Sequence, residues 1–252
     1  MKRTVINRVF APGTAWFMLL LIPITFVGFY TTYYSKLSYP HPPIVHLHGL
    51  LMVVWLALVV TQPLLIHYNR FSAHRFTGKL SYFVMPVILV SGYFILCYSY
   101  QRALQGDDVG PPGYFPEDLP LNIKAAEFTI IGTVYWIWLI VYYILGVAFR
   151  KNVVAHATFM LAAALTILGP AGDRLIGHIC DAFGWPFNAI AGNFVFALVV
   201  IVFLSLFVLH LRRKLSVWPS LLVVVLQLTG IFFFYHMPFH PTWNWLAAIL
   251  FG

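Results

Sequence analysis

The residues best able to do chemistry in this chain are its ten histidines, set in a sequence that is 61% hydrophobic and only 9% charged. Ionisable side chains at membrane depth are costly and mark ligand sets, ion pathways or proton relays. Laid out on apolar helices, they form two layers. His67, His74, His156 and His210 lie on one side, and His41, His46, His48, His178, His236 and His240 on the other.

His74 opens the run Ser72-Ala73-His74-Arg75-Phe76-Thr77-Gly78-Lys79. Ser72 is the expected N-cap, and Gly78 lies one turn beyond His74 on the same face. A glycine beside an imidazole leaves room for a flat macrocycle, and Arg75 and Lys79 could meet haem propionates. His156 enters a later span from the same side, ahead of the small-residue strip Leu161-Ala162-Ala163-Ala164. Two imidazoles at one depth on neighbouring helices are what bis-histidine ligation of haem b requires. The competing reading makes Gly78 a helix-packing residue and both cations ordinary anchors at the membrane surface.

On the other side, His48 is expected to lie deeper than His46, from which it must diverge on a helix, and His48 with His178 could hold a second haem. His236 and His240 are four apart and would share a face of a continuous helix, but Pro238 lies between them. With His46, His48, His178 and the carboxylate Glu127, they could instead form a zinc or copper site; Asp173 is a further carboxylate there. Each of these histidines could equally be an amphipathic anchor at the headgroup level. Glu127 could pair with Lys124, and Gln62, Asn188, Asn193 and Gln227 read as interhelical hydrogen-bonding groups.

The elements that must position these residues follow from composition. An ordinary soluble domain is roughly 45–50% apolar and about 25% charged, so a water-soluble globule and a disordered chain are both excluded. Apolar runs long enough to cross a bilayer predict an all-α, polytopic membrane bundle of about seven transmembrane helices, near 13–34, 43–66, 76–98, 125–148, 154–172, 188–210 and 217–236. The first is expected to be a retained helix. Residues 1–252 read as a single integral membrane domain with a core over 43–175 and an outer loop over 99–124. Lys2, Arg3, Arg8, Arg70, Arg75, Lys79, Arg150, Lys151, Arg212, Arg213 and Lys214 fall on one side with no acid, and all seven acids fall on the other. By the positive-inside rule the N-terminus is inside and the C-terminus outside, in a multi-pass protein of the cell (inner) membrane. That distribution accounts for the net charge of +8 without a nucleic-acid partner. Cys97 and Cys180 both fall near the outer side, where a disulfide is conceivable.

The run His48 to Met52, the helix start His74-Arg75-x-x-Gly78 and the later His156-x-x-Phe159-Met160 resemble a family of bacterial predicted membrane proteins of unknown function with a His-Arg-x-x-Gly helix start. More loosely, the pattern is similar to transmembrane cytochrome b reductases with a four-helix haem core. The resemblance spans about 43–175 and implies that His48, His74 and His156 matter most, with His178 as a fourth. The histidines here stand at helix ends rather than a few turns inside, and the pairing of His48 with His178 crosses the Gly169-Pro170 break. The expected function is therefore a b-type cytochrome-like membrane redox protein exchanging electrons with a quinone or another redox partner. Two alternatives stand beside it: a membrane metalloprotein that uses the outer zinc or copper site for hydrolysis or metal handling, and a cofactor-free assembly subunit of a membrane complex. The discriminator is which histidine layer matters.

Overall fold

The computed structural model describes residues 5–106, 119–185 and 189–252, without the side chains of 5–6 and 189–192. Residues 107–118 of the expected outer loop, including Gly110-Pro111-Pro112-Gly113, lie outside the described residues, while α5 and α6 take up its two ends. The described chain is an all-α bundle. Three short helices, α1 (Val5–Val9), α2 (Thr14–Phe17) and α3 (Leu21–Gly28), precede α4 (Pro43–His67), α5 (Phe71–Leu104), α6 (Leu121–Ala148), α7 (Val153–Leu165), α8 (Leu168–Phe183), α9 (Ala189–Arg212), α10 (Trp218–His236) and α11 (Pro241–Phe251). Six helical stretches are long and apolar enough to cross a membrane, with α7 and α8 forming one of them. Large side chains such as Phe76 and Phe83 stand 76% exposed on its flanks, as the lipid-facing surface of a multi-pass membrane protein requires.

The first expected span differs from the other six. Instead of one long helix, residues 14–28 form α2, a 3₁₀ turn at Met18–Leu20 and α3, a shorter apolar run. Pro23 provides the reason, because it has no N–H and its ring opposes the carbonyl four residues back, at Leu19. The two ends of this run are nevertheless held at opposite ends of the bundle. At one, Arg213 donates to the carbonyls of Asn7, Arg8 and Phe10, and His210 Nε2 donates to Val9 O at 3.0 Å. At the other, the Gly28 and Thr31 region meets His178 on α8. Gly28 has to be glycine, since a Cβ there would lie 2.2 Å from the Ala171 carbonyl oxygen.

Helices α4 to α7 pack in succession, α5 on α4, α6 on α5 and α7 on α6, around Trp55, Met85, Ile88, Tyr142 and Phe159. Helix α5 begins at Phe71, so Ser72 sits inside the first turn and does not cap it. Asn152 does cap α7, accepting from Ala155 N at 3.1 Å. The Val153–Phe183 stretch breaks at Thr166–Ile167, one turn ahead of Pro170, where the proline ring forbids the regular hydrogen bond.

After α10 the chain turns at Phe239, which takes φ 60°, and continues into α11, an element the hydropathy pattern did not suggest. It packs on α5 and α6, with Trp243 Nε1 donating to Ala126 O at 2.7 Å and Tyr93 Oη to Leu250 O at 2.6 Å. Cys97 and Cys180 are both free thiols, so the conceivable disulfide is not formed.

Candidate functional site

The N-terminus of α5, the N-terminus of α7, the C-terminal half of α4 and the residues around α1 enclose a cavity of about 900 Å³ at the end of the bundle that carries the basic residues. His74 and His156 both line it, with ring centroids 6.5 Å apart and planes at 80°. A metal ion held about 2.0–2.1 Å from one nitrogen of each ring would place the centroids roughly 6 Å apart. The observed centroid distance is close to that value.

The orientation of His156 is imposed by its neighbours. Its Nδ1 lies 2.8 Å from Gly146 O. A carbonyl only accepts, so Nδ1 carries the proton and Nε2 keeps its lone pair, the arrangement that outer hydrogen bonds give metal-ligating histidines. Gly146 itself is at the α6–α7 contact, where a Cβ would meet Met160 Sδ at 2.7 Å. His74 has a buried Nδ1 without a hydrogen-bond partner in the structure. Such an unsatisfied polar atom is costly unless something occupies the space beside it.

Gly78 is not the helix-packing residue of its run. A Cβ there would meet only Gln62 Nε2, at 4.0 Å, so no neighbouring helix needs the glycine for close approach. It lines the cavity instead. Gln62 in turn donates to Thr77 Oγ1 at 2.7 Å, and Thr77 to Ala73 O at 2.8 Å, which ties α4 to α5 beside His74. Arg75, Lys79 and Arg150 complete a cationic rim and are exposed. The lining also includes Met160, part of the His156-x-x-Phe159-Met160 run, and Trp55, to which the sequence assigned no role. The lone signal at Trp55 was helical spacing, which core and cavity residues share.

The other histidine layer is arranged differently. His48 Nδ1 lies 2.9 Å from Ser91 Oγ, which is also within 2.9 Å of Ile88 O. His178 Nε2 faces Thr31 Oγ1 at 3.0 Å and Gly28 O at 3.3 Å. The two expected partners in a second haem site therefore engage different helices, α5 and α3. His236 lies against Phe232, with ring centroids 4.2 Å apart and planes at 35°, whereas His240 caps α11 and accepts from Thr242 N at 3.3 Å. The turn at Pro238 and Phe239 puts them on separate helices, and they share no face. Glu127 Oε1 is buried without a partner, and the carboxylate lies beside the Phe239 backbone. Among the described residues, no three or more His, Cys, Asp or Glu side chains, those of His46, His48, His178, His236, His240 and Glu127 included, are grouped as the ligands of one metal ion.

No protein-family model matches the chain, and no curated protein or solved structure matches it.

Proposed function

We propose that this protein is a b-type cytochrome-like membrane redox protein holding one haem in the basic-end cavity, with His74 and His156 as axial ligands. The observation that carries the proposal is the pair of imidazoles 6.5 Å apart on the cavity wall. Three further features support it. The cavity volume of about 900 Å³ falls within the usual range of cofactor pockets, roughly 300–1,000 Å³. Gly78 leaves a flat wall, and Arg75, Lys79 and Arg150 stand where two propionates would emerge. The haem would supply the one-electron chemistry, while the protein sets ligand, burial and propionate partners.

In this reading the basic end faces the cytoplasm and the opposite end the exterior, by the positive-inside rule, in a bacterial inner membrane. Electrons would pass between the cavity and a quinone or protein partner at that surface. The second haem is not part of the proposal, because His178 turns its Nε2 to Thr31 Oγ1 and Gly28 O rather than to His48.

The test is the absorption spectrum of the detergent-purified protein, oxidised and then reduced with dithionite. Sharp reduced bands of a low-spin b haem at about one per chain are expected. A colourless preparation that also fails to take up added haemin would overturn the proposal.

A further inference from the structure

At the end of the bundle opposite the cavity, three rings converge that the haem reading does not use. Tyr33 follows α3, His41 sits between Pro40 and Pro42, and His46 lies in the first turns of α4. Their centroids are 5.7 Å apart for His41 and His46, 5.8 Å for Tyr33 and His46, and 6.1 Å for Tyr33 and His41. Tyr33 Oη and His46 Nδ1 are 3.1 Å apart, and His41 Nε2 is buried without a hydrogen-bond partner.

We propose that Tyr33, His41 and His46 form a binding site for one late first-row divalent metal ion, with copper(II) the tightest. Two donor atoms with arms of about 2.0–2.1 Å lie roughly 2.9 Å apart when cis on a tetragonal copper(II) ion and roughly 3.3 Å apart on a tetrahedral ion, with two imidazole centroids roughly 4.5 Å and 5.2 Å apart. The Tyr33–His46 donor distance and the His41–His46 ring distance both lie near these values. Imidazole and phenolate suit copper(II) and zinc, and copper(II) stands highest in the affinity order of divalent ions.

The local backbone is built for the trio. Gly49 makes room for the phenol, since a Cβ there would lie 3.1 Å from Tyr33 Oη. The prolines flanking His41 restrict its backbone, and His41 N donates to Tyr39 O at 2.8 Å. Without metal, the Tyr33–His46 hydrogen bond holds two of the donors together. Metal binding would displace the phenol proton, so affinity rises with pH. This ligand set shares only His46 with the one expected from the sequence, and it leaves a fourth position open to water or a substrate.

The experiment is titration of the full chain in detergent with copper(II) alone and, separately, zinc alone, followed by electron paramagnetic resonance and absorption. One equivalent of copper(II) per chain is expected, with a nitrogen-coupled signal and a tyrosinate-to-copper charge-transfer band. His41→Ala and His46→Ala should each weaken binding at least tenfold. Tyr33→Phe should remove the charge-transfer band while some imidazole binding persists, and His46→Gln keeps a polar side chain at the site in case the alanine variant fails to fold. His74→Ala and His156→Ala serve as controls and should bind copper(II) like the parent, which separates this site from the cavity. The proposal is overturned if the parent shows no saturable one-equivalent binding, if H41A/H46A binds as the parent does, or if the cavity variants are the ones that lose it.

Discussion

The two ends of the bundle use the same residue type in opposite ways. At the basic end, His74 and His156 line an open cavity, and His156 has its Nδ1 proton committed to Gly146 O while Nε2 is left over. At the far end, among the described residues, His48 bonds Ser91 through Nδ1 without a cavity beside it that takes in a second histidine, and His178 turns its Nε2 to Thr31 and Gly28. Two glycines differ in the same way wherever they stand: Gly78 has only one atom near the place of its missing Cβ, at 4.0 Å, whereas at Gly169, in the first turn of α8, a Cβ would lie 2.0 Å from the Tyr135 ring. A histidine or a glycine in a membrane helix thus speaks for a ligand only when the space beside it is open.

The sharpest way to break this contrast is to remove each histidine in turn. His74→Ala or His156→Ala should lower bound haem at least tenfold, as pyridine haemochrome assay would read, because each takes away an axial ligand. His48→Ala and His178→Ala should leave haem content within twofold, and equal losses at all four positions would erase the distinction. Next in size, Gly78→Leu should fold normally yet lose haem by roughly tenfold, since the side chain fills the cavity wall it now faces. Gly169→Ala should do the reverse. Overpacking against Tyr135 should destabilise the bundle by about 1–3 kcal/mol in thermal unfolding, while the fraction still folded keeps its haem. Asn152→Ala removes the cap of the helix that carries His156 and should cost about 1 kcal/mol of stability. The smallest effect belongs to Lys79→Gln on the exposed rim, which should weaken haem affinity by a few-fold, about 1 kcal/mol at most, and less at high salt.

The all-α membrane class and the general positions of six long helices were legible in hydropathy, because a bilayer demands long apolar runs with internally satisfied backbone. The layering of histidines and basic residues was legible too. His67, His74, His156 and His210 do gather at one end, near Trp16, the cavity and Val9. Other elements were not legible, for local reasons. Pro23 breaks the first apolar run without lowering its hydropathy. Helix α11 is eleven residues long, too short for a span signal, and is held by Trp243 and Tyr93 through contacts with α5 and α6.

What the sequence determined by itself is the class of fold, the segregation of charge and the pairing of His74 with His156 at one depth, since all three depend on composition and helical periodicity along the chain. Tertiary structure alone decided which histidines have space beside them. His48 and His178 have spacing as suggestive as that of His74 and His156, but His48 is drawn to Ser91 on α5 and His178 to Thr31 and to Gly28 on α3, so the two do not share a cavity as His74 and His156 do. Tyr33 and His41 carry no spacing signal at all, and they meet His46 only because the chain after α3 folds back over the start of α4. Periodicity orders residues along one helix, whereas a site depends on which faces of several helices converge.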